Sequence, residues 1–193
     1  MDIRALCVYC GSSSQVSQKH LTAARELGAL AAGAGVEIVY GGGRVGLMGA
    51  LAEGALEAGG RVVAIIPQHL EKLEVGHRGS TEYHVVGSMH ERKQMMAERS
   101  DAFCALPGGL GTLDETFEIV TWRQLKLHDK PVILVNIDGF WDPLLRLLEH
   151  QTAEGYLRGG SAGLFQVVER VGQVLETAAK APRPSLPDKI ERM

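Results

Sequence analysis

Two stretches of this 193-residue chain join glycine, charge and a helix start in a way that suits chemistry on an anionic ligand. The first runs Pro107-Gly108-Gly109-Leu110-Gly111-Thr112-Leu113-Asp114-Glu115, where glycines hand over to a helical pattern that carries a carboxylate. Glycine lets backbone approach a ligand closely, and the free N–H groups of a helix start favour a phosphate or another anion. The second, Ser88-Met89-His90-Glu91-Arg92-Lys93, sets two cations just inside another helix. Cations there oppose the helix dipole, at about a few tenths of a kcal/mol each. A bound phosphate or the Glu115 carboxylate would offset that, although solvated cations on a helix face are the commoner arrangement.

Both stretches also match capping boxes, T-x-x-E from Thr112 to Glu115 and S-x-x-E from Ser88 to Glu91. Spacing alone therefore leaves Glu115 open between a cap and a reactive carboxylate. In a first turn the dipole favours the anion. Such a group suits a base or a stabiliser of positive charge better than a general acid.

Two more loops have ligand-binding composition. Gly41-Gly42-Gly43-Arg44-Val45-Gly46-Leu47-Met48-Gly49 leads into an alanine-rich helix, and Gly11-Ser12-Ser13-Ser14 follows the first apolar run. Gly41, Gly42, Gly43, Gly46 and Met48, with Gly11, Ser12 and Ser13, are the expected phosphate or nucleotide loops. A tight turn, or a helix cap by the serines, is the plainer reading. None of these loops is G-x-x-x-x-G-K-[ST], and neither of the two glycine-rich ones follows the first strand as a dinucleotide fingerprint does.

The elements that must position these loops alternate. Strands are predicted at 4–10, 36–40, 61–66, 83–86, 102–106 and 131–136, with helices at 21–34, 47–58, 91–100, 113–127, 141–154 and 164–179. The strands are nearly continuous apolar runs, as parallel strands covered on both faces require. The rhythm predicts an α/β fold with one doubly wound parallel sheet flanked by helices, and its ligand site at the strands' C-terminal ends. Residues 1–179 are read as one domain and 180–193, with Pro182, Pro184 and Pro187, as a proline-rich tail.

A net charge of −3 and a pI near 6.2 give no footprint for nucleic acid or an anionic membrane. No run approaches the roughly 18 to 20 apolar residues of a membrane span. The N-terminal apolar run is too short for a secretory signal, so a cytoplasmic protein is expected. Cys7, Cys10 and Cys104 are odd in number, and no second pair completes a zinc site with Cys7-x-x-Cys10. They are read as structural. His90 and His128 lack metal-spaced partners, and His77 with His84 makes only a loose pair. Trp122 reads as helix core or subunit interface rather than a base-stacking platform.

The motifs together resemble the Lonely Guy family of cytokinin riboside 5′-monophosphate phosphoribohydrolases, long mislabelled as lysine decarboxylases. The family's P-G-G-x-G-T-x-x-E stands at Pro107 to Glu115 and its M-H-x-R-K at Met89 to Lys93. The likeness extends from Ile3 to about Leu157 and includes Ile66-Pro67 and His128-Asp129-Lys130-Pro131; the stretch Glu71 to Gly79 departs from the family's usual segment. It implies a Rossmann-like homodimer, without metal or organic cofactor, that releases free base and ribose 5-phosphate from a nucleoside 5′-monophosphate such as AMP or a cytokinin riboside monophosphate. By resemblance the catalytic residues are Arg92 and Glu115. Substrate contacts fall on Glu74, Met89, Arg92, Lys93, Gly109, Leu110, Gly111, Thr112, Leu113, Asp114, Glu115 and Thr121. In several members a second subunit completes the site.

A pyridoxal-phosphate decarboxylase would need a Schiff-base lysine in a much larger cofactor fold, which this chain does not offer. The competing reading from another class is a non-catalytic nucleotide-binding or carrier protein of the same fold. Glu115 separates the two, because a plain phosphate binder gains nothing from a carboxylate beside its anion.

Overall fold

The computed structural model describes residues 2–71, 76–157 and 163–181. Glu74 and the prolines of the tail lie outside them. Strands β1 (Ala5–Tyr9), β2 (Glu37–Tyr40), β3 (Val62–Pro67), β4 (Glu82–Val86), β5 (Ala102–Ala105), β6 (Val132–Val135) and β7 (Gln166–Val168) form one sheet in the order β4-β3-β2-β1-β5-β6-β7. Every pairing is parallel, with Cys7 of β1 opposite Val39 on one side and Phe103 on the other.

Side chains alternate between the two faces. Leu6, Val8 and Cys10 enter one core with helices α1 (Gln18–Gly33), α2 (Gly46–Glu57) and α7 (Val174–Lys180). Ala5, Cys7 and Tyr9 enter the other with α4 (Met89–Glu98), α5 (Leu110–Gln124) and α6 (Asp142–Ala153). Burial on both sides is why the strands read as unbroken apolar runs. A four-residue helix α3 (Gln68–Glu71) follows β3. The α/β doubly wound sheet expected from the sequence is therefore present. Among the described residues no helix is long and apolar enough to cross a membrane.

The predicted helix at 164–179 is corrected. Its first part is strand β7, which pairs Ile133 with Gln166 and Val135 with Val168, and only Val174–Lys180 is α-helical. Leu164, Val168, Val171, Leu175 and Ala178 do carry helical spacing. The open edge of β6 outweighs it, because each β6 backbone group there needs a hydrogen-bond partner; Asn136 N–H, just past β6, donates to Val168 O at 2.7 Å.

Both thiols of Cys7-x-x-Cys10 are buried and free, on opposite faces of β1. Burial pushes each well above the ordinary thiol range, so neither is reactive.

His128 joins the end of α5 to the approach to β6. Its Nε2–H donates to Ile119 O at 2.9 Å, and its Nδ1 accepts from Lys130 N–H at 3.1 Å. That arrangement needs the neutral ring, and burial holds the ring's pKa below the ordinary value of 6.5. The unfolded chain then binds the proton first, so this contribution to stability is complete above about pH 6.5 and fades as pH falls through the folded pKa. Urea unfolding of wild type from pH 7.5 to 5 should show that loss. His128→Gln should be less stable at pH 7.5 and show a shallower decline.

Candidate active site

The order of the sheet reverses between β1 and β5, since the chain winds outward from β1 through β2 to β4 and then returns to add β5 to β7. Ligand crevices of open α/β sheets form at the C-terminal end of such a switch point. Here the two loops meet. Gly11 N–H donates to Pro107 O at 3.1 Å, and the Gly11 backbone packs against Gly108.

Helix α4 leaves β4 through Ser88, whose hydroxyl accepts from Glu91 N–H at 3.1 Å as the capping pattern predicts. The Glu91 carboxylate returns to Gly87 N–H at 2.7 Å, one residue earlier than the reciprocal box requires. This start places Arg92 and Lys93 on the buried side of α4. Arg92, only 3 % exposed, reaches across the sheet edge and donates through Nη2 to Gly41 O at 3.0 Å, while its Nη1 lies 3.8 Å from Met89 Sδ. Its Nε is buried with no hydrogen-bond partner among the described residues.

Helix α5 begins earlier than the sequence suggested. Gly109 is its N-cap, Leu110 its first residue, and no side chain caps it. Thr112 is thus inside the helix, buried against Gly108, and the T-x-x-E capping box is not formed. Glu115 falls in the second turn, beyond the reach of the first-turn dipole. Its surroundings come instead from tertiary contacts. The carboxylate, 6 % exposed, lies 4.0 Å from Arg92 Nη2, and its charge bears on Tyr9 and Cys10 at the end of β1.

Lys93 bridges the two helices, with Nζ 3.1 Å from both Asp114 Oδ2 and Glu118 Oε1. Asp114 and Glu118 are four apart on one face of α5, where two like charges repel. That spacing is a readable sign that a cation sits between them, and it could have singled out Glu118, which the sequence reading did not name. Nothing in the sequence marks the Gly41 carbonyl as the seat of Arg92.

The other candidates divide. Gly109, Leu110 and Gly111 are exposed at the start of α5, where helix geometry leaves backbone N–H groups without intrahelical partners. Leu113 is half-buried beneath them. Ser12 and Ser13 are exposed beside Gly46, whose positive φ of 66° and close approach to both serines need glycine. Gly41, Gly42, Gly43 and Met48 are buried, and protein donors already occupy the Gly41 and Gly42 carbonyls. Thr121 is exposed on α5, about 9 Å along the helix from Glu115.

A buried arginine and glutamate thus stand at the switch point of a Rossmann-like α/β sheet, beside an open helix N-terminus. Comparison with known proteins narrows this. The family model described as "Possible lysine decarboxylase" matches residues 48–178. A cytokinin riboside 5′-monophosphate phosphoribohydrolase of Rhodococcoides fascians is 46% identical over 155 residues, covering 80% of this chain and 78% of that protein. One of Arabidopsis thaliana is 43% identical over 154 residues, covering 80% and 72%. The chain belongs to this phosphoribohydrolase family, whose enzymes are hydrolases of N-glycosidic bonds. Among solved structures, the molybdenum cofactor carrier protein of Chlamydomonas reinhardtii superposes with a TM-score of 0.71 over 92% of this chain and 96% of its own. At 22% identity that likeness is one of fold.

Any Cβ at Gly41 would collide with the Arg92 guanidinium, the far end of a flexible side chain. Gly41→Ala should therefore displace Arg92, leave the buried Glu115 without its counter-charge and lower the melting temperature. Turnover should fall about a hundredfold in a base-release assay.

Proposed function

We propose that this protein hydrolyses the N-glycosidic bond of adenine-type nucleoside 5′-monophosphates, AMP or a cytokinin riboside monophosphate, giving free base and ribose 5-phosphate. The observation that carries the reading is the buried Glu115 set 4.0 Å from Arg92 at the switch-point crevice. Family membership supports it, and so does the uncapped start of α5.

Cleavage passes through a ribosyl cation with oxocarbenium character. In this reading the 5′-phosphate is held by the N–H groups of Gly109 to Thr112, remote from the reacting carbon, so that binding energy fixes the sugar. The Glu115 carboxylate faces C1′, stabilises the developing positive charge and orients the water that attacks it. The C1′–N bond breaks as the water oxygen bonds to C1′, and the proton released from the water is balanced by protonation of the departing base. Arg92 remains protonated throughout. It sets the position of Glu115 and offsets the cost of burying that carboxylate. Lys93 holds α4 against α5, with Asp114 as its partner, and thereby keeps the two catalytic side chains on facing helices.

A homodimer fits the same reading. Leu110 is 86% exposed at the mouth of the site, and Thr121 faces outward, both placed to serve a second copy.

Purified protein incubated with AMP, and separately with isopentenyladenosine 5′-monophosphate, should release free base detectable by chromatography. Glu115→Gln removes the negative charge and should lower kcat by at least about a hundredfold. Wild type that binds nucleotide without releasing base would instead make this a carrier, and equal rates for wild type and Glu115→Gln would end the proposed mechanism.

A further inference from the structure

The glycine loop that seats Arg92 is itself held from the far side. His77 N–H donates to Gly42 O at 2.9 Å, and Gly43 pairs with Gly76 in an isolated antiparallel bridge. The chain at 76–77 thus lies along the loop like a short extra strand. It is fastened in turn to the sheet edge. Gly76 packs against the Tyr83 hydroxyl of β4 so tightly that a Cβ would collide there. That hydroxyl donates to Glu71 Oε1 at 3.2 Å, and Arg78 donates to the same oxygen at 2.7 Å. The Arg78 guanidinium also lies 5.8 Å over the Tyr83 ring, and Gly76 N–H donates to Glu71 O at 3.3 Å. One carboxylate at the end of α3 therefore gathers β4 and residues 76–78 into a single clasp.

We propose that the Glu71–Tyr83 clasp is a positioning device for the active site, holding the loop at Gly41–Gly43 so that the Gly41 carbonyl keeps Arg92 turned toward Glu115. Its kinetic consequence rests on the phosphoribohydrolase reading above. The clasp acts from the Tyr83 hydroxyl to Gly76, across the paired backbone to Gly41–Gly43, and from the Gly41 carbonyl to the guanidinium. Since phosphate is held elsewhere, at the start of α5, a loosened clasp disturbs the catalytic pair more than it disturbs binding. The effect belongs in kcat, with KM nearly unchanged.

Three variants test this, Tyr83→Phe, Glu71→Ala and Glu71→Gln, the last retaining an acceptor for the phenol. Each is measured by base release from AMP and by hydrogen–deuterium exchange of the peptide spanning 40–48, with the β5 peptide as control. Tyr83→Phe and Glu71→Ala should lower kcat about tenfold with KM within about twofold. Glu71→Gln should stay near wild type, and the double variant Tyr83→Phe with Glu71→Ala should be no worse than the poorer single one, because both act through the same clasp. Exchange over 40–48 should quicken in the two damaged variants while β5 is unchanged. A wild-type kcat in Tyr83→Phe overturns the proposal, as does a loss shared by Glu71→Gln or one carried by KM. If wild type releases no base, the hydrolase reading fails, and the exchange of 40–48 alone decides the clasp, with unaltered exchange overturning it.

Discussion

A guanidinium taken out of water governs this architecture. Burying an ion costs several kcal/mol unless charge and hydrogen bonds replace its hydration. Arg92 receives the Gly41 carbonyl and the Glu115 carboxylate from two different halves of the sheet. Gly41 must lack a side chain to admit it, β2 must end just before Gly41 so that the next carbonyl meets Arg92, and α5 must begin early enough to bring Glu115 within reach. The two catalytic candidates are in this sense one unit, each making the burial of the other tolerable.

The surrounding contacts keep that unit rigid. Loops from β1 and β5 close on one another at Gly11 and Pro107, so the floor of the crevice is backbone held by hydrogen bonds. Leu47 N–H, at the start of α2, donates to Gly11 O at 3.0 Å and ties a third loop to the same point. Lys93 then couples α4 to α5 beside Arg92 and Glu115. Catalysis through fixed charges needs such support, because a misplacement of about 1 Å weakens the electrostatic match to the transition state.

The same fold occurs in a cofactor carrier with 22% sequence identity. A doubly wound sheet with an open helix N-terminus offers a general phosphate site, and its function depends on what stands beside the phosphate. In this chain a carboxylate is buried against an arginine near the start of α5, an arrangement of little use to simple retention of an anion. The older family description as a possible lysine decarboxylase finds no counterpart in this pairing.

Much of this was legible in the residues themselves. Apolar runs at 4–10, 61–66 and 131–136 pointed to strands covered on both faces, which the structure forms at 5–9, 62–67 and 132–135, and the capping serine of α4 is where its motif puts it. Those are local properties, set by periodicity and by side chains bonding to backbone a few residues away. The start of α5 was not legible, because Thr112 offers a good cap and only its packing against Gly108 shows that the helix begins at Leu110. Strand β7 was hidden behind helical spacing, since the demand for it comes from the unpaired edge of β6, some thirty residues earlier in the chain. Motif resemblance singled out Arg92 and Glu115, but tertiary structure alone decided that they face one another, through a glycine carbonyl 51 residues from the arginine. Distances of that kind are fixed by how the sheet winds, which no local pattern of residues encodes.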